Sequence, residues 1–168
     1  MPARQTLFLF LIVFNFCACN QAHYQEVKSK HTGQKIPNLD LISPDSSHHI
    51  TTHDIPDGPA IVLLYFKPDC PFCRAEITSI LENLSTFKGV NFYLIAGSAS
   101  SLLNIFTNNI QRRHIPNFFI GIDYKHDFQN YFSPQGVPFT AIYRNEKTLG
   151  KSYMGALSSK ELAGVIND

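Results

Sequence analysis

Apolar and polar positions alternate along this chain in blocks whose spacing predicts the elements. Ala60 to Phe66 (AIVLLYF) is an unbroken apolar run with β-branched and aromatic members, the pattern of a central strand buried on both faces. Val90 to Ala96 reads as a second buried strand and Ile115 to Ile122 as a third. Between them the period changes. Ile77, Ile80, Leu81 and Leu84 follow one another at helical spacing behind Pro71, which suits a first helical turn, and Gly89 suits a stop. Ser98 to Arg113 predicts a helix with Leu102, Leu103, Phe106 and Ile110 on one side, and Asp127 to Phe132 a short one. Phe139 to Tyr143 and Leu149 to Met154 read as a hairpin around the polar turn Arg144 to Lys147. Ser158 and Glu161 form a capping-box pattern ahead of Leu162, Val165 and Ile166, a closing helix. Upstream, Gly33 to Leu41 predicts an opening edge strand interrupted by Pro37, and Ser43 to Gly58 a loop with one short strand near Ile50. The order β-β-α-β-α-β-α-β-β-α implies an α/β fold, a mixed central sheet with helices on both faces.

The first residues stand outside that pattern. Arg4 precedes an apolar run of about ten residues, Leu7 to Phe16, too short to span a bilayer as a helix. It ends at Phe16-Cys17-Ala18-Cys19, which resembles the lipobox of bacterial lipoproteins. That resemblance implies cleavage after Ala18, a lipid on Cys19, and anchoring in a bilayer, although Phe16 stands where leucine is usual. The expected layout is a leader over 1–18, a polar tether over 19–34 and one domain over 35–168. A plain secretory signal, with Cys17 and Cys19 incidental, is the alternative. Either way the domain is expected outside the cytoplasm, in a bacterial envelope, where disulfides persist.

Composition narrows the partners. The length of 168 residues allows one ordinary domain, and a formal charge of +1 gives no reason to expect nucleic acid. Tryptophan is absent. Beyond Cys19 the only cysteines are Cys70 and Cys73. A bridge between residues three apart closes a small loop and is a poor staple, so the pair points to redox chemistry. Cys70-Pro71-Phe72-Cys73 opens a helix directly after a buried strand. There the first sulfur meets unpaired N–H groups and the positive end of the helix dipole, both of which favour a thiolate. Cys73, one turn along, is placed to resolve a mixed disulfide formed by Cys70. Half a zinc site is the rival. Structural zinc usually takes four protein ligands, there is no second Cys-x-x-Cys, and His48, His49 and His53 read as a solvated loop, so no metal is expected. The scattered phenylalanines (Phe106, Phe118, Phe119, Phe128, Phe132) read as core, Arg112-Arg113-His114 as a solvated helix end, and Ser98 to Ser101 as a helix start.

Lys67 to Ile77 (KPDCPFCRAEI) resembles the active-site segment of the thioredoxin superfamily and is most similar to TlpA/ResA-like thiol-disulfide oxidoreductases. The resemblance covers roughly Lys35 to Asp168 and implies a thioredoxin-like three-layer α/β/α sandwich. It makes Cys70 the nucleophile and Cys73 the resolving cysteine. It matches Glu76 to the glutamate that family keeps beside its dithiol, a proton-transfer group. It matches Gly136-Val137-Pro138 to the cis-proline loop, with Pro138 against the dithiol and Val137, Pro71 and Phe72 meeting the substrate. Two departures stand out: Asp69 replaces the usual aromatic before the first cysteine, and Leu64 occupies the place of thioredoxin's buried acid. Glu76 has a second reading, as an ordinary surface carboxylate, and Val137-Pro138 has one, as an ordinary loop bend.

The implied activity is reduction of disulfides in exported client proteins, with electrons from a membrane thiol donor and no bound cofactor beyond the Cys70–Cys73 pair. The alternatives are an oxidant or isomerase of the same fold, a thiol peroxidase, and a non-catalytic lipoprotein that binds a partner. The peroxidase lacks its usual proline and threonine, since Leu63 and Lys67 stand at those places.

Overall fold

A computed structural model describes residues 24–56, 58–111, 115–144 and 146–168. Its elements in chain order are β1 (Tyr24–Glu26), β2 (Asp40–Ile42), β3 (His49–Thr51), β4 (Ile61–Phe66), α1 (Pro71–Glu82), β5 (Asn91–Ala96), α2 (Ser101–Gln111), β6 (Phe118–Ile122), α3 (Asp127–Phe132), β7 (Phe139–Arg144), β8 (Thr148–Gly155) and α4 (Ser159–Asn167). The strands form one mixed sheet in the order β1-β8-β7-β4-β5-β6-β2-β3. The most apolar strand, β4, lies inside it, parallel to β5 and antiparallel to β7, with Phe66 beside Ala96 and Tyr65 beside Phe139.

Both faces of β4 are buried because each carries its own core. Val62, Leu64 and Phe66 face α1, α2 and α4, meeting Cys73, Ile77, Ile80, Leu103 and Leu162. Ile61, Leu63 and Tyr65 point the other way, into a cluster with Phe128 of α3 and with Leu39, Leu41 and Tyr143. The period-2 alternation of strand side chains divides the two sets. Helix α1 docks through Cys73, Glu76, Ile77 and Ile80, one stripe at helical spacing. Burying an isoleucine of that stripe is worth roughly 1.5–3 kcal/mol, enough to hold the helix start firmly.

Several boundaries differ from the pattern. Tyr24–Glu26 is not tether: it adds a strand to the edge of β8, with Tyr24 opposite Gly155, and His31 stacks on Tyr131 at 3.7 Å. The folded domain therefore includes part of the span 19–34. The opening strand contracts to Asp40–Ile42, while Lys35 makes only an isolated bridge with Thr148. Helix α1 stops at Glu82, and Leu84–Phe87 continues as a 3-10 turn. On α2 the buried side is Leu103, Thr107 and Ile110, whereas Leu102 is 49% exposed. The capping box of α4 forms as expected: Ser158 N–H donates to Glu161 Oε2 at 2.7 Å, and Glu161 N–H donates to Ser158 Oγ at 3.3 Å. The leader, Cys17, Cys19 and Arg112-Arg113-His114 lie outside the described residues.

Candidate active site

The carboxyl ends of β4 and β5 and the start of β7 meet at one end of the sheet, where ligand sites of open α/β folds usually sit. Four residues after Phe66, Cys70 caps the N-terminus of α1 in an extended conformation (φ −75°, ψ 118°), with Pro71 as the first helical residue. The Cys73 backbone N–H donates to Cys70 Sγ at 3.4 Å. The cap is a sulfur instead of the usual oxygen, so an orphan donor of the helix end points at the atom that must carry negative charge. Cys70 is partly exposed; Cys73 is fully buried, and both are free thiols.

Position, not residue type, separates the two sulfurs. Burial pushes the Cys73 thiol well above the ordinary range, and its contact with Cys70 adds to the rise. Cys73 therefore holds its proton until something removes it, while Cys70 sits where solvent and a substrate can reach.

Pro138 is buried at the start of β7, and the Val137–Pro138 peptide is cis. The loop reaches the dithiol: Cys70 Sγ donates to the Val137 carbonyl at 3.8 Å. Beside this contact opens a cleft of about 280 Å³ whose lining includes Tyr65, Lys67, Ser98, Gln129, Gln135 and Val137. Gly97 forms part of its wall, and a Cβ there would lie 2.5 Å from the Tyr65 hydroxyl oxygen and push that side chain aside. Phe72 projects from the first turn of α1, 54% exposed.

Glu76 settles on the buried side of α1, only 1% exposed. The Thr140 hydroxyl donates to its Oε1 at 3.0 Å, and Oε2 has no hydrogen-bond partner. Burial pushes the carboxyl up to about 8, against the opposing pull of Thr140 and of the nearby Leu157 backbone N–H, which favours the anion without bonding Oε2. Glu161 of α4 raises it further. Leu64 is fully buried in the core, an apolar residue at the place of the acid it was compared with.

Cys70, Cys73, Glu76, Val137 and Pro138 thus converge, with Pro71 and Phe72 at the same helix start. The histidines do not join them. His49 lies on β3, at the far edge of the sheet, where its Nδ1 pairs with Asp40 at 2.7 Å. Among the described residues no group of three or more His, Cys, Asp or Glu side chains is placed to hold a metal ion. Thr140 escaped the sequence reading. Its signal was a single hydroxyl inside the apolar run Phe139 to Tyr143, a residue that needs a partner once buried.

No protein-family model matches the chain. A probable glutaredoxin of Acanthamoeba polyphaga mimivirus is 33% identical over 49 residues, which is 29% of this chain and 46% of that protein, so the match spans less than half of the relative. Solved structures match far more widely. A secreted Mycobacterium tuberculosis disulfide oxidoreductase homologous to E. coli DsbE covers 77% of this chain and 94% of its own, with a TM-score of 0.61 and 24% identity. StoA from Bacillus subtilis covers 79% and 98%, with a TM-score of 0.57 and 14% identity. The thioredoxin domain of a Bacteroides vulgatus thiol-disulfide oxidoreductase covers 81% and 95%, with a TM-score of 0.60 and 16% identity. Likeness over more than three quarters of this chain and nearly all of each solved one fixes the architecture: this is the thioredoxin-like fold, a three-layer α/β/α sandwich around a mixed sheet.

Proposed function

We propose that this chain is an extracytoplasmic thiol-disulfide oxidoreductase that reduces disulfides of exported client proteins through Cys70 and Cys73. The observation that carries the reading is the asymmetry of the pair: an accessible sulfur capped by a helix N–H, and a buried sulfur one turn behind it. In the cycle, Cys70 thiolate attacks one sulfur of a client disulfide, and the other leaves as a thiolate. Cys73 gives up its proton and attacks Cys70 Sγ. The client departs with two thiols and the chain keeps the Cys70–Cys73 disulfide, two electrons having moved. A membrane thiol carrier returns those electrons by the same exchange in reverse. The electrons reside in the sulfur pair, so the cycle calls for no bound cofactor.

Val137, Pro71 and Phe72 form the client-facing surface, and the main chain beside Pro138 suits an extended client segment. Buried Glu76 takes the Cys73 proton. Two of the solved structures above carry disulfide-oxidoreductase names, one of them described as secreted, which supports the redox and exported parts of the reading. No helix among the described residues is long and apolar enough to cross a membrane. The anchor in this reading is a lipid on Cys19. Tyr24 pairs with Gly155, whose N–H donates to the Pro138 carbonyl, so the chain enters the sheet at the dithiol end. Five residues of extended chain reach at most about 18 Å, so a lipid on Cys19 would keep that end close to the bilayer and to a membrane donor.

Insulin reduction tests the core of the proposal: the wild type should turn over and Cys70→Ser should not, and equal rates would leave only a partner-binding role. Cys73→Ala should trap clients as mixed disulfides. A measured potential near that of the strong oxidants, about −120 mV, would replace the reductant by an oxidant.

A further inference from the structure

We infer that Thr140 is a positioning residue for proton transfer at the dithiol: by donating to Oε1 of Glu76, it reserves Oε2 as the oxygen that takes up and returns the Cys73 proton. This rests on the reading of Glu76 as the proton acceptor and adds the residue that sets which of its atoms works.

Glu76 has two oxygens in unlike surroundings. Both belong to a carboxyl group removed from water, and they are treated unequally. Oε1 accepts from the Thr140 hydroxyl at 3.0 Å; Oε2 is buried without a partner. A lone pair engaged by a donor is a poorer place for a proton, so the acid form of Glu76 carries its hydrogen on Oε2. An unsatisfied buried oxygen is costly, and a proton arriving there relieves part of that cost. Cys73 lies three residues earlier on the same buried stripe of α1. In the resolving step the Cys73 S–H bond breaks, the proton goes to Glu76 Oε2, and the freed electron pair forms the bond to Cys70 Sγ. The client sulfur leaves with the electrons of the broken mixed disulfide.

Thr140 is fixed independently of the helix. It lies on β7 two residues after Pro138, fully buried, with Leu64 of β4 and Tyr153 of β8 as its cross-strand neighbours. The same strand that supplies the Pro138 loop thus orients the carboxyl. The hydroxyl on β7 lies opposite Leu64 in the sheet and holds the acid of α1.

The surrounding charges are few. Cys70 and Cys73 belong to α1, and Glu161 of α4 raises Glu76. The Tyr153 hydroxyl is engaged by Glu26, at 3.5 Å. Thr140 is the first of the groups holding Glu76 down against burial, so its loss should leave the acid protonated to higher pH.

The test is the pH profile of resolution, measured as release of a small chromogenic thiol from a preformed mixed disulfide on Cys70. Thr140→Val, nearly the same shape without the hydroxyl, should move the midpoint upward by about one pH unit and slow the step about tenfold at neutral pH, the size of one charge-assisted hydrogen bond. Thr140→Ser should restore the wild-type profile. With Glu76→Gln already present, Thr140→Val should add nothing. A Thr140→Val profile that overlays the wild type overturns the inference, as does an equal slowing on the Glu76→Gln background. If Glu76→Gln alone leaves the profile unchanged, the acceptor role of Glu76 fails, and the inference with it. Retained dithiol exchange in that variant would leave the oxidoreductase reading standing. Thermal unfolding of Thr140→Ser and Thr140→Val checks that both variants are folded.

Discussion

Asp40 and Glu76 are both carboxylates set against the same sheet, and their surroundings drive them in opposite directions. Asp40, on β2, accepts from Lys125 Nζ at 2.6 Å and the Tyr124 hydroxyl at 2.8 Å, and pairs with His49 Nδ1 at 2.7 Å. A quarter of its side chain stays exposed (26%), and those donors hold it far below the usual carboxylate range. Glu76 is buried with one hydroxyl on its carboxyl, and burial places it at about 8. The difference teaches what makes an acid useful. Three side-chain donors and solvent keep Asp40 charged at neutral pH, whereas burial leaves Glu76 a proton that moves near neutral pH. Only the second kind can serve a buried thiol that must lose its proton on demand.

Chemistry that survived without the dithiol end would remove the functional contrast between the two acids altogether. Cys70→Ser should lower disulfide reduction to the uncatalysed background, while Asp40→Asn should leave turnover intact. Next in size, Glu76→Gln should slow resolution about a hundredfold at neutral pH, the lower part of the usual contribution of a general base, with initial attack by Cys70 unaffected. Rapid-mix kinetics that follow the two steps separately would check this.

Stability gives a third measure, with a sign that follows from the same burial. In the unfolded chain Glu76 releases its proton near 4.5, and in the fold it holds it to about 8. Between those values the folded state binds more protons, so stability falls as pH rises through the window and levels off above it. The loss is on the order of 4 kcal/mol. Denaturant midpoints at pH 5 and pH 8.5 should show this decline in the wild type and a much flatter line in Glu76→Gln. A wild type equally stable at both values would place Glu76 in a wetter site than the one described.

Legibility from sequence followed the same division between local and distant causes. The runs Ala60 to Phe66 and Val90 to Ala96 announced β4 and β5 because burial on both faces leaves no polar position to confuse the period. Pro71 and the cysteine before it marked the start of α1, and Ser158 with Glu161 marked α4. Tyr24–Glu26 stayed hidden: three residues, two of them polar, become a strand only because β8 offers its edge. Glu76 was half legible. Its spacing from Cys73 and Ile80 places it on the buried stripe, while its charge argues for the surface, and only the packed structure decides between them. Thr140 was not legible as its partner, because no helical or strand period joins positions 64 residues apart.

Asp40 should matter least, for stability and for chemistry alike. Asp40 has a depressed folded value, so its contribution to stability is present above the unfolded carboxylate range and is lost as pH falls through the folded one. Its partners are exposed: the Lys125 side chain keeps 51% of its surface and that of His49 56%. Water and salt therefore screen most of the Coulomb attraction, and Asp40→Asn should cost no more than about 1 kcal/mol at pH 7. The deficit should shrink in high salt, and the pH profile of resolution should not move at all. A shifted profile in Asp40→Asn would mean that the far edge of the sheet communicates with the dithiol, and the two acids would no longer stand as independent cases.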